Sequence, residues 1–301
     1  MVGIVHCNVR GLKTVNLRSN KTNIIKQILE ENKYIFINLQ ETHLNNENQI
    51  PKDWLHMKNL YSYVFCGAPE GDQGSGILVF IRNTEEILES LILLNGRLVY
   101  IKTKNLVSGE ILNFFSIYGK SNVTQNFAQS LVSKLHVKIE NDNLENLIIC
   151  GDFNFVTSTN DRNTNKYTVT DNIYKDIWTN LEIRHNLIDT FRKMYPKRRL
   201  YSYTQSGSNS KSRIDRIYFS HDLIGRAQNM VFENFEPFDH KLLSLKLKSN
   251  IEIGPGSWVF NNTLLQDQHF TNEVKTTINS YLTSNCFPNK KKKHGTSLKW
   301  I

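Results

Sequence analysis

Leu147-Ile148-Ile149-Cys150-Gly151-Asp152-Phe153-Asn154-Phe155 decides how the chain is read. The first four residues form an unbroken apolar run, the pattern of a strand buried on both faces. Gly151 lets the backbone turn at the strand end with no side chain in the way. In extended backbone Asp152 and Asn154 project to one side while Phe153 and Phe155 anchor the other. A carboxylate and an amide sharing one space can hold a base and orient what it acts on. The same residues also suit an Asx-rich turn closing a core strand, so the stretch gains chemical meaning only if other strands end in matching chemistry.

They do. Residues 2–9 are strand-like and end in Asn8-Val9-Arg10-Gly11-Leu12, and residues 34–39 form a second buried run that ends in Gln40-Glu41-Thr42-His43. Further strands are expected at 77–81, 99–101 and 111–118, with short connections that suggest antiparallel pairing. Helices are expected after a cap at Ser19 or Asn20, after Thr124, and from Asp171. Residues 44–73 read as irregular. After 187–191 the chain turns basic, with Arg192, Lys197, Arg198 and Arg199 beside Tyr201 and Tyr203. Cations interleaved with aromatics suit a nucleic-acid face, although a solvated charged loop has the same composition. A polar loop over 206–212 leads to a strand at 213–219, and the last strand, 243–247, follows Asp239-His240.

With 301 residues, 39% of them hydrophobic and 22% charged, the chain has the length and composition of a large globular domain plus an extension. A net charge of +9 favours a polyanionic partner. Four scattered cysteines without a CxxC pair indicate neither a zinc site nor a disulfide framework. No signal peptide or membrane-length apolar run is visible, so an intracellular protein is expected. The boundary is placed at 248: a domain over 1–248, then a linker over 249–301 with a turn-rich Gly254-Pro255-Gly256-Ser257-Trp258 joint, one helix and a basic run, Lys290–Lys293.

Collected, the polar strand ends are Asn8, Glu41, Tyr118, Asp152 with Asn154, Asp215, and Asp239 with His240. Separated acids with one His and one Tyr, and neither a nucleophile elbow nor a P-loop, suit metal-assisted phosphodiester hydrolysis. In their order these motifs, with Ser116-Ile117-Tyr118, Tyr201-Ser202-Tyr203 and Ser212-Arg213-Ile214-Asp215, resemble the endonuclease/exonuclease/phosphatase superfamily. Within it they look like the apurinic-endonuclease-like domain of LINE-type, non-LTR retrotransposon proteins. The resemblance implies a four-layer α/β sandwich of two mostly antiparallel mixed sheets with helices outside.

It also implies roles. Glu41 and Asp239 would hold Mg²⁺, with Mn²⁺ as a plausible substitute, and Asn8 would support that site. Asp152 would deprotonate the attacking water, with Asn154 fixing its position. His240, held by Asp215, would stabilise charge on the phosphate. Tyr118 would donate to a phosphate oxygen, and Ser202 would support the phosphate site. Arg10 stands where the family often has Asp or Asn, which argues against a second metal and suggests a phosphate contact. Asn122 arrives one place late after Tyr118-Gly119 and takes no role. His6, His43 and His136 read as ordinary histidines.

The implied activity is nicking of double-stranded DNA to leave a 3′-hydroxyl, used by a reverse transcriptase domain of the same full-length chain, in the nucleus and away from membranes. Three alternatives stay open: an abasic-site repair endonuclease, a lipid or inositol phosphatase, and a DNA-binding module without catalysis. Loops 157–170 and 204–212 are the expected source of sequence preference.

Overall fold

The structure, a computed structural model, describes residues 2–12, 15–234, 239–248 and 262–284. Phe238, the Gly254–Trp258 joint and the Lys290–Lys293 run lie outside the described residues. Contacts divide the chain into two units, residues 1–251 and 252–301.

The first unit is built from two six-stranded mixed sheets. The first sheet contains β1 (Val2–Asn8), β2 (Phe36–Gln40), β3 (Tyr61–Cys66), β4 (Ile77–Arg82), β13 (Ala227–Glu233) and β14 (Leu242–Leu247), in the order β13-β14-β1-β2-β4-β3. The second contains β5 (Glu85–Leu94), β6 (Leu98–Asn105), β7 (Ile111–Tyr118), β8 (Leu147–Asp152), β9 (Leu187–Asp189) and β12 (Asp215–Ser220), in the order β5-β6-β7-β8-β12-β9. Only β1–β2 and β7–β8 pair in parallel within these sheets. β10 (Tyr203–Thr204) and β11 (Lys211–Ser212) form a separate hairpin, so the polar segment expected as a loop has paired ends.

Three apolar clusters bind four layers together. One, with Ile25, Leu29, Leu39, Trp54 and Phe80, lies between the first sheet and helices α1 (Val15–Glu30) and α2 (Lys52–Leu55). Another, with Leu131, Leu135, Ile149, Phe153 and Trp178, lies between the second sheet and helices α3 (Gln125–Asn141) and α4 (Val169–Arg184). The third fills the space between the sheets, where Phe36 stacks on Phe114 with centroids 4.3 Å apart. Helix α5 (Thr190–Met194) packs Phe191 into this central cluster.

Local sequence accounts for the helix starts. The Thr124 hydroxyl accepts from the Phe127 N–H at the start of α3, and Thr168 with Asp171 forms a reciprocal capping box on α4. α1 begins at Val15, so Ser19 and Asn20 lie inside the helix and do not cap it. β3 falls inside the segment expected to be irregular, and β5 and β13 were also unforeseen. β6 and β7 pair antiparallel as expected, while β4 pairs with β2 and β3 in the other sheet.

The second unit contains α6 (Gln268–Ser284), preceded by a short 3₁₀ turn over Asn262–Gln266. No helix among the described residues is long and apolar enough to cross a membrane.

Candidate active site

Register across the two sheets brings the strand tips together. Asn8 pairs with Gln40, Tyr118 with Asp152, and Asp152 with Asp215. All lie at the end of the space between the sheets, beside a cleft of about 520 Å³ lined by Arg10, Glu41, Tyr118, Asp152, Asn154, Tyr203, Asp239 and His240 among others.

The Asn8 amide joins the first-sheet tip to the second. Asn8 Nδ2 donates to Glu41 Oε2 at 2.8 Å and to Asp152 Oδ2 at 2.9 Å. Tyr118 adds a hydroxyl to the same Glu41 oxygen at 2.9 Å, and His43 Nε2 lies 3.4 Å from Oε1. Burial works against the Glu41 charge, but hydrogen bonds from His43, Asn8 and Tyr118 hold its carboxyl below the ordinary range. The Tyr118 phenol is pushed up, by burial first and then by Glu41 and Asp152, so it keeps its proton and donates.

Asp215 sits between two imidazoles, accepting from His240 Nδ1 at 2.8 Å and contacting His6 Nε2 at 2.9 Å. Burial opposes the His240 charge, yet Asp215 and then Asp152 outweigh it and push its pKa up to about 10. Asp215 responds in the opposite sense: against the cost of burial, His240 and His6 hold its carboxyl well below the usual value. Asp152, fully buried and facing Asp215, is raised to about 6, with burial the larger cause.

Asn38 Nδ2 lies 3.3 Å from His6 Nδ1 and donates to the Cys150 carbonyl at 3.2 Å. A donor on Nδ1 leaves the His6 Nε2–H free to serve Asp215. Behind it, the Ser116 hydroxyl donates to Asn38 Oδ1 at 2.7 Å, and Gln40 Nε2 donates to Ser116 Oγ at 2.9 Å. Gln40 Oε1 accepts the Asp152 N–H at 2.7 Å. These polar side chains satisfy one another across the seam, which a buried set must do to avoid a large desolvation cost. A Cβ at Gly151 would lie 2.0 Å from the Ile117 carbonyl oxygen, so Gly151 is required for this close approach inside β8 and not for a turn.

Asn154 is brought to Asp152 by a left-handed residue, φ +57°, not by extended backbone. Its N–H donates to Asp152 Oδ1 at 2.9 Å and its amide reaches the Gly119 carbonyl at 3.1 Å. Arg10, Glu41 and His43 also adopt positive φ, at +43°, +56° and +59°. Such conformations cost energy, and here they gather around one cleft.

The other residues expected at the site lie in different surroundings. Ser202 is fully buried and accepts the Ile214 and Asp215 N–H groups at 3.1 Å each, so it braces the Asp215 backbone. Arg192 is tied to Asp161 and to the Arg198 carbonyl, because the buried Arg213 and Asp161 form an ion-pair network with the half-buried Asp189 beside it. Lys197, Arg198 and Arg199 are exposed but, with the half-buried Tyr201, do not line the cleft. Tyr203 does, with its ring 4.7 Å from that of His240. Arg10 Nη1 lies 2.6 Å from Asp239 Oδ2.

Asn122 lines the cleft, as do Arg162, Thr168, Thr170 and Gln205 from the two loops proposed for sequence preference. His6, Gln40, Asn38 and Ser116 were missed as site residues. So was Lys21, whose ammonium donates to the carbonyls of Val9, Arg10 and Gly11 at 2.7, 3.0 and 3.2 Å. Spacing put His6 and Ser116 two residues before predicted tips, on the same strand face, and Gln40 next to one, but it did not show which partners they meet.

The donors available to a metal can be sorted by what already holds them. Asp152, Asp215 and His240 form a compact cluster of possible ligand atoms, but both Asp215 oxygens are engaged by histidines and a protonated His240 cannot ligate. Glu41 and Asp239 both line the cleft, and Asp239 Oδ1 is buried with no hydrogen-bond partner. An oxygen-rich set with an orphaned carboxylate oxygen fits a hard divalent cation.

A profile of the Endonuclease/Exonuclease/phosphatase family matches residues 5–233, and the chain belongs to that family. The Transposon TX1 uncharacterized 149 kDa protein of Xenopus laevis is 29% identical over 266 residues, which is 84% of this chain and 19% of that protein. The chain therefore spans about a fifth of this curated relative. The AP endonuclease LMAP from Leishmania major superposes with a TM-score of 0.68 at 18% identity, covering 82% of this chain and 88% of its own. An AP endonuclease from Archaeoglobus fulgidus gives 0.65 at 20% identity, over 83% of this chain and 100% of its own. The 3′ phosphatase NExo from Neisseria, solved with a product DNA hairpin, gives 0.65 at 17% over the same shares. At these identities the three structures establish the fold: an α/β sandwich shared with AP endonucleases.

Proposed function

We propose that the chain is a metal-dependent DNA endonuclease that nicks one strand and leaves a 3′-hydroxyl. The observation that carries this reading is the Asn8 amide, which bridges Glu41 of the first sheet and Asp152 of the second within 2.9 Å. It makes two far-separated acids parts of one centre.

Asp152, held by Asn8 and the Asn154 N–H, takes the proton of the attacking water. A pKa raised to about 6 leaves it ionised at neutral pH and still basic enough to accept that proton. As the bond from water to phosphorus forms, negative charge gathers on the non-bridging oxygens. His240, kept protonated by Asp215, faces that charge. The bond to the 3′ oxygen then breaks, that oxygen takes a proton from solvent water, and Asp152 returns to solvent the proton it accepted. Tyr118 holds Glu41 in place and lines the same space.

Mg²⁺ held by Glu41 and Asp239, with Asn8 supporting Glu41, would supply Lewis-acid stabilisation of the phosphate charge; Mn²⁺ could take its place. Arg10, on the Asp239 carboxylate and more than half exposed, is placed to contact a neighbouring phosphate.

The substrate is double-stranded DNA, favoured by the +9 charge and the DNA hairpin bound to the Neisseria relative. The transposon relative, of which this chain spans about a fifth, supports a role in a LINE-type retrotransposon. There the 3′-hydroxyl would prime a reverse transcriptase domain of the longer protein in the nucleus. Residues 1–248 would be the nuclease and 249–301 the linker toward that domain.

The test is supercoiled plasmid incubated with Mg²⁺, with and without chelator, beside matched duplexes that are intact or carry an abasic site. Chelator-sensitive nicking of intact DNA with termini that a polymerase extends is expected. Cleavage confined to the abasic duplex would make the chain a repair enzyme instead.

A further inference from the structure

The outer layer of the second sheet carries a polar cluster that the nuclease chemistry does not use. His136 and Glu140 stand four residues apart on α3, and so on one face of the helix. His185 follows the last turn of α4 and closes its C-terminus. His136 Nδ1 lies 2.9 Å from His185 Nε2, while Glu140 Oε1 lies 4.0 Å from His136 Nδ1 and 3.9 Å from His185 Nδ1. One ligand atom from each residue can be chosen so that all lie within 4.8 Å of one another. None of the three lines the catalytic cleft.

Two imidazole nitrogens at 2.9 Å share one proton, so the pair is stable with both rings neutral. Burial, then His136, lowers the His185 pKa. Neutral imidazole is the form a metal binds. The competing cation is Arg184, whose Nε donates to Glu140 Oε1 at 3.1 Å from a side chain 61% exposed. An exposed pair of this kind contributes little and can give way. Lys138, two residues after His136, is engaged elsewhere and pairs with Glu89 and Asp142.

We propose that His136, Glu140 and His185 form a second metal site, for a zinc-class divalent ion, that clips α3 to the C-terminal end of α4. Two imidazoles and one carboxylate are a donor set suited to Zn²⁺, in contrast with the oxygen donors of the cleft. Bonds of roughly 2.0–2.1 Å in a tetrahedron separate donors by about 3.3 Å. The histidine nitrogens would part slightly and the Glu140 carboxylate would close in. A 42% exposed Glu140 and a 26% exposed His136 leave the fourth position open to water.

Isothermal titration of the metal-stripped full chain with Zn²⁺ tests this, in a Glu41→Gln background that weakens the cleft as a competing site. One equivalent is expected to bind, and His136→Ala or His185→Ala should weaken it by at least about 100-fold. Arg184→Ala should tighten it by a few-fold. With Co²⁺ instead, the absorption bands of a tetrahedral site should appear and vanish with either histidine. On the native background His136→Ala should nick DNA with Mg²⁺ as before, which certifies its fold. Zn²⁺ binding unchanged by both histidine substitutions, or none in the Glu41→Gln protein, would overturn the proposal.

Discussion

At one end of the space between the sheets stand Ile4, Phe36, Phe114, Ile148 and Phe219, all fully buried and apolar. Four residues along the same five strands, on the same faces, stand Asn8, Gln40, Tyr118, Asp152 and Asp215. Between the two rows lies a third: His6, Asn38, Ser116, Cys150 and Ile217, in register across β1–β2, β7–β8 and β8–β12. The apolar end gains stability from burial. The polar end holds ionised groups in a buried place, where they cost stability unless every partner is supplied. The middle row supplies those partners, passing hydrogen bonds from Ser116 through Asn38 and His6 to Asp215. One set of strands can therefore build a fold at one end and a reaction centre at the other.

Truncation at the polar end should cost the most in activity. Glu41→Ala, Asp152→Ala or His240→Ala should lower nicking by about 10³-fold or more, with circular dichroism and DNA binding close to wild type. Phe114→Ala at the opposite end should do the reverse. It should cost about 3 kcal/mol or slightly more in denaturant unfolding, while nicking at low temperature survives. A loss of nicking with full stability in Phe114→Ala would break the division of labour.

A smaller effect follows from charge. The Asp152 pKa is raised, first by burial and then by Asp215, to about 6, above its unfolded value of roughly 3.9. Its contribution to stability is complete below the unfolded value and is lost as pH rises to 6. Asp152→Asn in chelator should therefore melt higher than wild type at pH 8, by about 1–2 kcal/mol, with the advantage shrinking toward pH 4. A pH-independent difference would contradict it. His240 and Asp215 behave oppositely. His240, raised to about 10 by Asp215 against burial, contributes fully below roughly pH 6.5 and loses its contribution as pH rises through 10. Asp215, depressed by His240, contributes above roughly pH 3.9 and fails as pH falls further.

The smallest effect expected is at the middle row. His6→Asn removes one contact to Asp215 and leaves His240 in place, so nicking should fall by about 10-fold. Equal loss in His6→Asn and His240→Ala would give His6 a more direct part in the chemistry.

The tips were legible because each is a polar residue at one end of a largely apolar strand: Glu41 after 34–39, Asp152 after 147–150, and Asp215 before 217–219. The middle row was not, because one His or Asn inside a strand carries no sign of which sheet faces it. His6 and Asp215 are 209 positions apart and touch only once the sheets stack. β3, β5 and β13 escaped detection for another reason. β3 and β5 close edges of their sheets and β13 closes the other edge of the first, so they are partly exposed, and even the apolar residues Leu91 to Leu94 of β5 are not buried on both faces. For Ser202 the position relative to Asp215 was readable, but the direction of its hydroxyl, toward the Asp215 N–H, was not.

Whether the two sheets share one centre is tested most directly by a double-mutant cycle on nicking rates with Asn8→Ala and Tyr118→Phe. These residues come from different sheets and donate to the same Glu41 oxygen at 2.8 and 2.9 Å. Clearly non-additive losses, with a coupling of about 1 kcal/mol or more, are predicted. Losses that simply multiply would mean that the two tips act separately, and the single-centre account would fall.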